Sequence, residues 1–158
     1  MKLVHYSDRP LGKLQRRLPV DSFRQFFKPT GLWVSDDDAE WNWRTWCMSE
    51  DFNISSLTHV HDVTLKPDAN VLIIGSADGI DRFTRDFGMP GHSFLSMEPR
   101  IAIDWPRVAE AWDGIVITPY IGERRLHPDA MWYYVWDCAS GCIWHPRAVA
   151  EVSLRKDE

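Results

Sequence analysis

Apolar and polar positions alternate first over residues 2–7, KLVHYS, which is the period of a half-buried strand, and Pro10 ends it. Leu11, Leu14 and Leu18 follow at helical spacing, but Pro19 cuts that pattern short. FRQFF at 23–27 leads into a turn at KPTG, 28–31, where Gly31 would supply the backbone angles of a tight turn. LWVS, 32–35, reads as a second strand. Asp36 to Asp38 and Glu40 would meet the positive end of a helix dipole. That helix, or a compact aromatic loop, is AEWNWRTWCMSEDF, with Trp43, Trp46 and Cys47 as its buried stripe.

From residue 57 the period changes to two. LTHVHDVTL alternates, Pro67-Asp68 turns the chain, and NVLIIG is an apolar, buried strand. Ser76 caps a helix ADGIDRFTRDF that Gly88 closes. Residues 88–100 are rich in Gly and Pro and read as a loop. Asp104 and Pro106 start a third helix, IDWPRVAEAW, which ends by Gly114. GIVITPY is a strand and IGERRLHPDA a loop. WYYVWD and GCIWHP are the last two strands, with 139–141 as the turn between them. The sum is about six or seven strands and three short helices in a single α+β domain spanning 1–158.

Composition adds bounds. Hydrophobic residues make up 44% and charged residues 26%, the balance of a chain with a packed core. A formal charge of −5 argues against a protein that grips many phosphates. Nine tryptophans are the outlier, expected in the core or lining a pocket. MKLVHYSDRP has no apolar core of a signal peptide, no run approaches a membrane span, and three cysteines is an odd count. A cytoplasmic location with reduced thiols is the expectation.

Cys138, Cys142 and His145 suggest a metal site, and His59 and His61 offer two further ligands. A structural zinc site needs four ligands in paired elements, and only one half is present, so no metal is expected. Cys-x3-Cys is not a redox spacing, and the thiols read as packing. His59 and His61 read as a solvated strand face. There is no Gly-x-Ser-x-Gly elbow and no Walker loop. GSADG, 75–79, lacks the spacing of a phosphate loop and reads as a capped helix start.

The remaining chemistry is spread along the chain: His5, Tyr6 and Ser7 on the first strand, Gly31, Trp33 and Ser35 on the second, Asp113 before a late strand, and Asp137 at the end of WYYVWD. Polar groups at strand ends between aromatic walls are what a nucleotide cleft needs. Asp137 is either the cap of the Ala-Ser-Gly turn or an acid facing positive charge on a ribose carbon. His5 is either a ladder histidine or a ribose ligand.

The order of these pieces resembles the ADP-ribosyltransferase family, glycosyltransferases that split NAD and transfer ADP-ribose. HYS stands where that family carries His or Arg on its first core strand, and GLWVS where its second motif lies. VTLKPDANVLIIGSADGIDRFTRDFG and WPRVAEAWDGIVITPY are comparable to its middle section. The family's last strands carry an acid, usually Glu. Here they carry none, and Asp137, or Glu123 in the preceding loop, stands in its place. The resemblance implies a mixed, split β-sheet and NAD as substrate. It implies that His5 holds the adenosine-side ribose, with Ser7 and Gly31 in the same binding motifs. Tyr6 or Trp33 would wall the nicotinamide, and Ser35 would bond near its ribose. Asp137 or Glu123 would stabilise the oxocarbenium-like transition state. The acceptor would be a protein or a nucleic acid, and a compact transferase of this size suits a phage or bacterial toxin or effector. The other reading is a binding module: the same fold with a degenerate site, or a domain that meets a partner through exposed tryptophans.

Overall fold

The computed structural model describes residues 1–17, 28–92 and 99–156. Along the chain run β1 (Leu3–Ser7), β2 (Leu32–Asp36), α1 (Trp43–Glu50), β3 (His59–Leu65), β4 (Val71–Ile74) and α2 (Ala77–Phe87). Then come β5 (Gly88–His92), β6 (Pro99–Ile103), α3 (Trp105–Ala111), β7 (Gly114–Ile117), β8 (Ser140–Ile143) and β9 (Val149–Leu154). Short 3₁₀ segments lie at Ile54–Leu57, Gly122–Arg124, Pro128–Val135 and Pro146–Ala148. Seven strands form one mixed sheet in the order β4-β7-β8-β2-β1-β3-β9, and β5 and β6 form a separate ribbon. Among the described residues only β4 and β7 pair in parallel; their connection runs through α2 and α3. The architecture is α+β.

The caps explain the helices. Ser76 is extended, and its hydroxyl accepts from Gly79 N–H at 3.2 Å to start α2. Ile80, Phe83 and Thr84 then share the buried stripe. Asp104 starts α3, accepting from Arg107 N–H, with Pro106 in the first turn. In α1 the cap is Asn42, accepting from Thr45 N–H at 3.0 Å, and no acid lies in the first turn. The expected dipole role of Asp36 to Asp38 is therefore corrected. Asp36 ends β2, buried, and its carboxylate accepts from Lys2 N–H, Asp38 N–H and the Thr118 hydroxyl. A buried carboxylate with three donors is satisfied, and it ties the end of β2 to the start of β1 and to the residue after β7.

Alternation decides which side of the sheet each strand residue covers. Ile115, Ile117 and Cys142 join the larger core with Ile80, Phe83, Val108 and the four fully buried tryptophans, Trp105, Trp132, Trp136 and Trp144. Val116, Ile143, Val34 and Leu3 belong to a smaller core with Val63 and Ala148. Trp33, Trp41, Trp43, Trp46 and Trp112 are half-buried, so none of the nine tryptophans stands exposed. That removes the support for recognition through exposed tryptophans.

Several expectations are overturned. WYYVWD is not a strand. Its first four residues end the 3₁₀ segment Pro128–Val135, capped by His127 with Pro128 at its start, and Trp136 and Asp137 follow that segment. Trp132, Tyr133 and Trp136 are buried while Tyr134 faces out, a helical spacing that won over the strand propensity of the aromatics. There is no terminal hairpin: β8 pairs with β2 and β7 instead. Residues 88–92 are a ribbon strand, with Pro90 tolerated because a two-stranded ribbon has only edges. β9, unread in the sequence, pairs with β3 at the rim of the sheet. Residues 11–17 form no helix, and Leu18 and FRQFF at 23–27 lie outside the described residues. No helix among the described residues is long and apolar enough to cross a membrane.

Candidate functional site

β1 and β2 pair at only two positions, Leu3 with Asp36 and Val4 with Ser35. Beyond Val4 each strand keeps its other neighbour: β1 stays on β3 through Ser7, and β2 stays on β8 through Leu32. The sheet therefore parts between two adjacent strands. His5 bridges the gap, its Nδ1–H donating to the Trp33 carbonyl at 2.7 Å. A side chain takes an acceptor that a continuous ladder would give to backbone.

A cavity of about 270 Å³ opens at this parting. Val4, His5 and Tyr6 line it from β1, and Trp33, Val34 and Ser35 from β2. Lys28, Trp43, Asn53 and Ser56 complete the lining together with Asp137, Cys138 and Ser140. His5, Tyr6, Trp33, Ser35 and Asp137, picked out in the sequence, thus meet around one space.

His5 is held below the usual imidazole range by burial first; the Trp33 carbonyl opposes this, and nearby His61 adds to it. With the proton on Nδ1, a neutral ring leaves Nε2 as an acceptor for a hydroxyl. His61 backs it: its Nδ1–H donates to the His5 carbonyl at 3.4 Å, and Nε2 accepts from Leu11 N–H at 3.1 Å. His61 is buried, so the expected solvated face is corrected.

The Tyr6 hydroxyl donates to Asp37 at 2.9 Å, and Asp37 is held in turn by Arg155. Burial and the neighbouring carboxylate keep the phenol protonated far up the scale, and its ring forms the wall. Trp33 stands edge-on to Trp136 with centroids 5.0 Å apart, and Lys28 Nζ lies 5.2 Å over the Trp33 ring. Burial pulls the Lys28 ammonium below its ordinary range, while Asp137 pulls it back. The Ser35 hydroxyl is already engaged: it accepts from Trp43 N–H at 2.9 Å and donates to the Ala139 carbonyl at 3.4 Å. Its role in the described structure is to lock α1 against the segment that carries Asp137.

Asp137 follows the 3₁₀ segment and precedes β8, so it does not end a strand. Trp41 Nε1–H donates to its carbonyl at 2.9 Å and Arg125 Nη2–H to its Oδ1 at 3.3 Å. The turn it was expected to cap is absent, because Ser140 and Gly141 belong to β8; the Ser140 hydroxyl donates to the Cys138 carbonyl at the start of that strand. Burial raises the Asp137 carboxyl above its ordinary range; Lys28 and Arg125 draw it down, and Glu50 adds to the rise. A half-desolvated carboxylate acts on a nearby cation with less screening than one in water.

Three expected residues stand elsewhere. Ser7 donates to the Arg9 carbonyl and does not line the cavity. Gly31 is needed for space and not for angles: a Cβ there would lie 2.6 Å from the Ile143 carbonyl oxygen, and no described glycine has a positive φ. Glu123 sits exposed on Gly122–Arg124, a segment that Arg124 pins to Asp81 through two bonds of 2.8 and 2.7 Å, away from the cavity. Asp113 is bonded to Arg147, also apart from it.

Lys28, Trp43, Asn53, Ser56, Ser140 and Arg125 were not legible as site residues. Only the Lys-Pro turn hinted at Lys28; the others arrive through tertiary packing. Cys138 and Cys142 are buried thiols, burial pushing Cys138 up to about 12. Among the described residues no three His, Cys, Asp or Glu side chains are grouped to hold a metal ion. No family model, curated protein or solved structure matches this chain.

Proposed function

We propose that the cavity between β1 and β2 takes the nicotinamide-ribose end of NAD and that the protein transfers ADP-ribose to a macromolecular acceptor. The observation that carries this reading is the convergence of His5, Tyr6, Trp33, Ser35 and Asp137, from three distant parts of the chain, around one aromatic-walled space. The parting of β1 from β2 supports the split sheet that the resemblance implies. A volume of about 270 Å³ sits at the small end of ligand pockets, enough for part of a dinucleotide with the rest outside.

The roles follow from the chemistry. Neutral His5 offers Nε2 to a ribose hydroxyl. The Tyr6 and Trp33 rings give a flat, polarisable wall for the pyridinium. When the bond between nicotinamide and ribose breaks, its electron pair leaves with the ring, which becomes neutral, and positive charge develops on the ribose carbon. The Asp137 carboxylate stabilises that charge until the acceptor's nucleophile attacks. Asp137 takes the place of the family's usual Glu, on a side chain shorter by one carbon. With its hydroxyl occupied, Ser35 shapes the cavity and does not bond the ribose.

The test is incubation with labelled NAD and a cell lysate, comparing wild type with Asp137→Ala and His5→Ala. Nicotinamide release and labelled acceptor are expected from wild type and strongly reduced in both variants. Release that persists in both would remove the assigned site. No release from any form would favour a nucleotide-binding module.

A further inference from the structure

Asp137 has charged neighbours on three elements. Lys28, ahead of β2, and Glu50, at the end of α1, act on it through space with opposite sign. Arg125, between Gly122–Arg124 and Pro128–Val135, bonds its Oδ1 directly at 3.3 Å. The neighbouring Cys138 thiol is buried and protonated, the Tyr120 hydroxyl is kept protonated chiefly by burial, and His5 and Tyr6 face the same cavity from β1.

The Arg125 guanidinium is held in two ways. Its Nη2 reaches Asp137, and its central carbon lies 5.2 Å over the Tyr134 ring. Tyr134 is the outward-facing member of the 3₁₀ segment whose Trp132 and Tyr133 are buried, so that segment's packing fixes the platform. Among the described residues no hydrogen bond reaches Asp137 Oδ2. A carboxylate with one oxygen engaged by a cation keeps the other oxygen for chemistry.

We propose that Arg125 is the positioning residue of the cavity acid: stacked on Tyr134, it takes Oδ1 of Asp137, sets the plane of the carboxylate and leaves Oδ2 for the sugar. This rests on the reading that Asp137 acts on NAD. A carboxylate turned out of place by about 1 Å would lose on the order of 10²-fold in rate. Arg125 also favours the ionised carboxyl in a place where burial opposes it, so its loss moves the protonation of Asp137 to higher pH.

Two measurements on the full chain test this with Arg125→Met, Arg125→Lys and Tyr134→Ala. Arg125 and Tyr134 are both partly exposed, so the variants retain the core. The first is a carbon NMR titration of the aspartate carboxyls, with Asp137 assigned by Asp137→Asn; it needs no substrate. The Asp137 midpoint should rise by about one pH unit in Arg125→Met, less in Tyr134→Ala, and return toward wild type in Arg125→Lys. The second is nicotinamide release against pH. The acid limb should move up with the NMR midpoint and kcat should fall, while KM for NAD stays within about two-fold. An unmoved midpoint in Arg125→Met overturns the proposal, as does a loss of rate that Arg125→Lys does not restore. A moved midpoint in a protein that releases no nicotinamide supports the Arg125–Asp137 pairing and overturns the NAD reading.

Discussion

Gly141 sits where the sheet has no room for a side chain, and adding one methyl group measures how rigidly β8 is held. β8 lies between β2 and β7, and Gly141 is opposite Val34 on one side and Val116 on the other. A Cβ at this position would lie 2.4 Å from the Ile115 carbonyl oxygen, 2.7 Å from Val116 Cγ2 and 2.9 Å from Val116 Cα. Two of these atoms are backbone of a central, fully buried strand, so no side-chain rotation relieves the clash. β7 would have to retreat by about half an ångström or more in a core that is already close-packed. Overpacking costs typically about 1–3 kcal/mol. With backbone on the receiving side, Gly141→Ala belongs at the upper end, about 3 kcal/mol. In a chain of this length that lowers Tm by roughly 6–12 °C. Circular dichroism melting or calorimetry reads it directly. Gly12→Ala is the matched control, because a Cβ there meets nothing within 4 Å, and its Tm should stay within about 2 °C of wild type. A Gly141→Ala protein that melts within about 2 °C of wild type would refute the reasoning and show that β7 and β8 slide apart at little cost.

Two further outcomes follow from polar contacts. Trp132 is fully buried and its Nε1–H donates to the Thr84 hydroxyl at 2.7 Å, so Trp132→Phe should cost about 2 kcal/mol through the lost bond and the lost ring volume; a double-mutant cycle with Thr84→Val, read by urea unfolding, separates the two. Arg155 bonds Asp37 and Asp62 at once, and its hydrogen bond is the main reason the Asp62 carboxyl sits below its ordinary range. A depressed carboxyl adds stability above its unfolded pKa of about 3.9 and loses it as the pH falls through the folded value. Arg155→Met should therefore cost about 1 kcal/mol at pH 7, since both groups are partly exposed, and the gap to wild type should close as the pH falls through the depressed range of the Asp62 carboxyl. A gap of equal size at pH 7 and at low pH, in urea unfolding, would count against the pairing.

What the sequence disclosed and what it hid divide along the range of the forces involved. Ser76 and Asp104 announced α2 and α3 because a cap bonds an amide three residues away, within reach of a local reading. GIVI announced β7 because a strand buried on both faces stays apolar throughout. VLII announced β4 as a strand but not its place: the burial expected of it fails, because β4 is an edge of the sheet and Ile73 faces out. WYYVWD misled because aromatic residues favour strands, while the spacing of Trp132, Tyr133 and Trp136 is set by the core they fill. β9 was missed because an edge strand that alternates weakly owes its existence to β3 and not to its own pattern.

The site divides in the same way. His5, Trp33 and Asp137 were visible as residue types along the chain, but the strand end expected for Asp137 is absent and the cavity that joins them exists only because β1 and β2 stop pairing after Val4. Nothing local to either strand dictates that stop. Each strand has a stronger partner on its far side, and the His5 imidazole satisfies the Trp33 carbonyl that the broken ladder exposes. The same bond that lets the sheet open also fixes the His5 tautomer toward the space it opens. Replacing His5 would thus remove the proposed ribose ligand and leave the Trp33 carbonyl without that bond at once. For that reason His5→Ala alone does not separate binding from architecture, whereas Asp137→Asn, which keeps the shape of the side chain and removes only its charge, does.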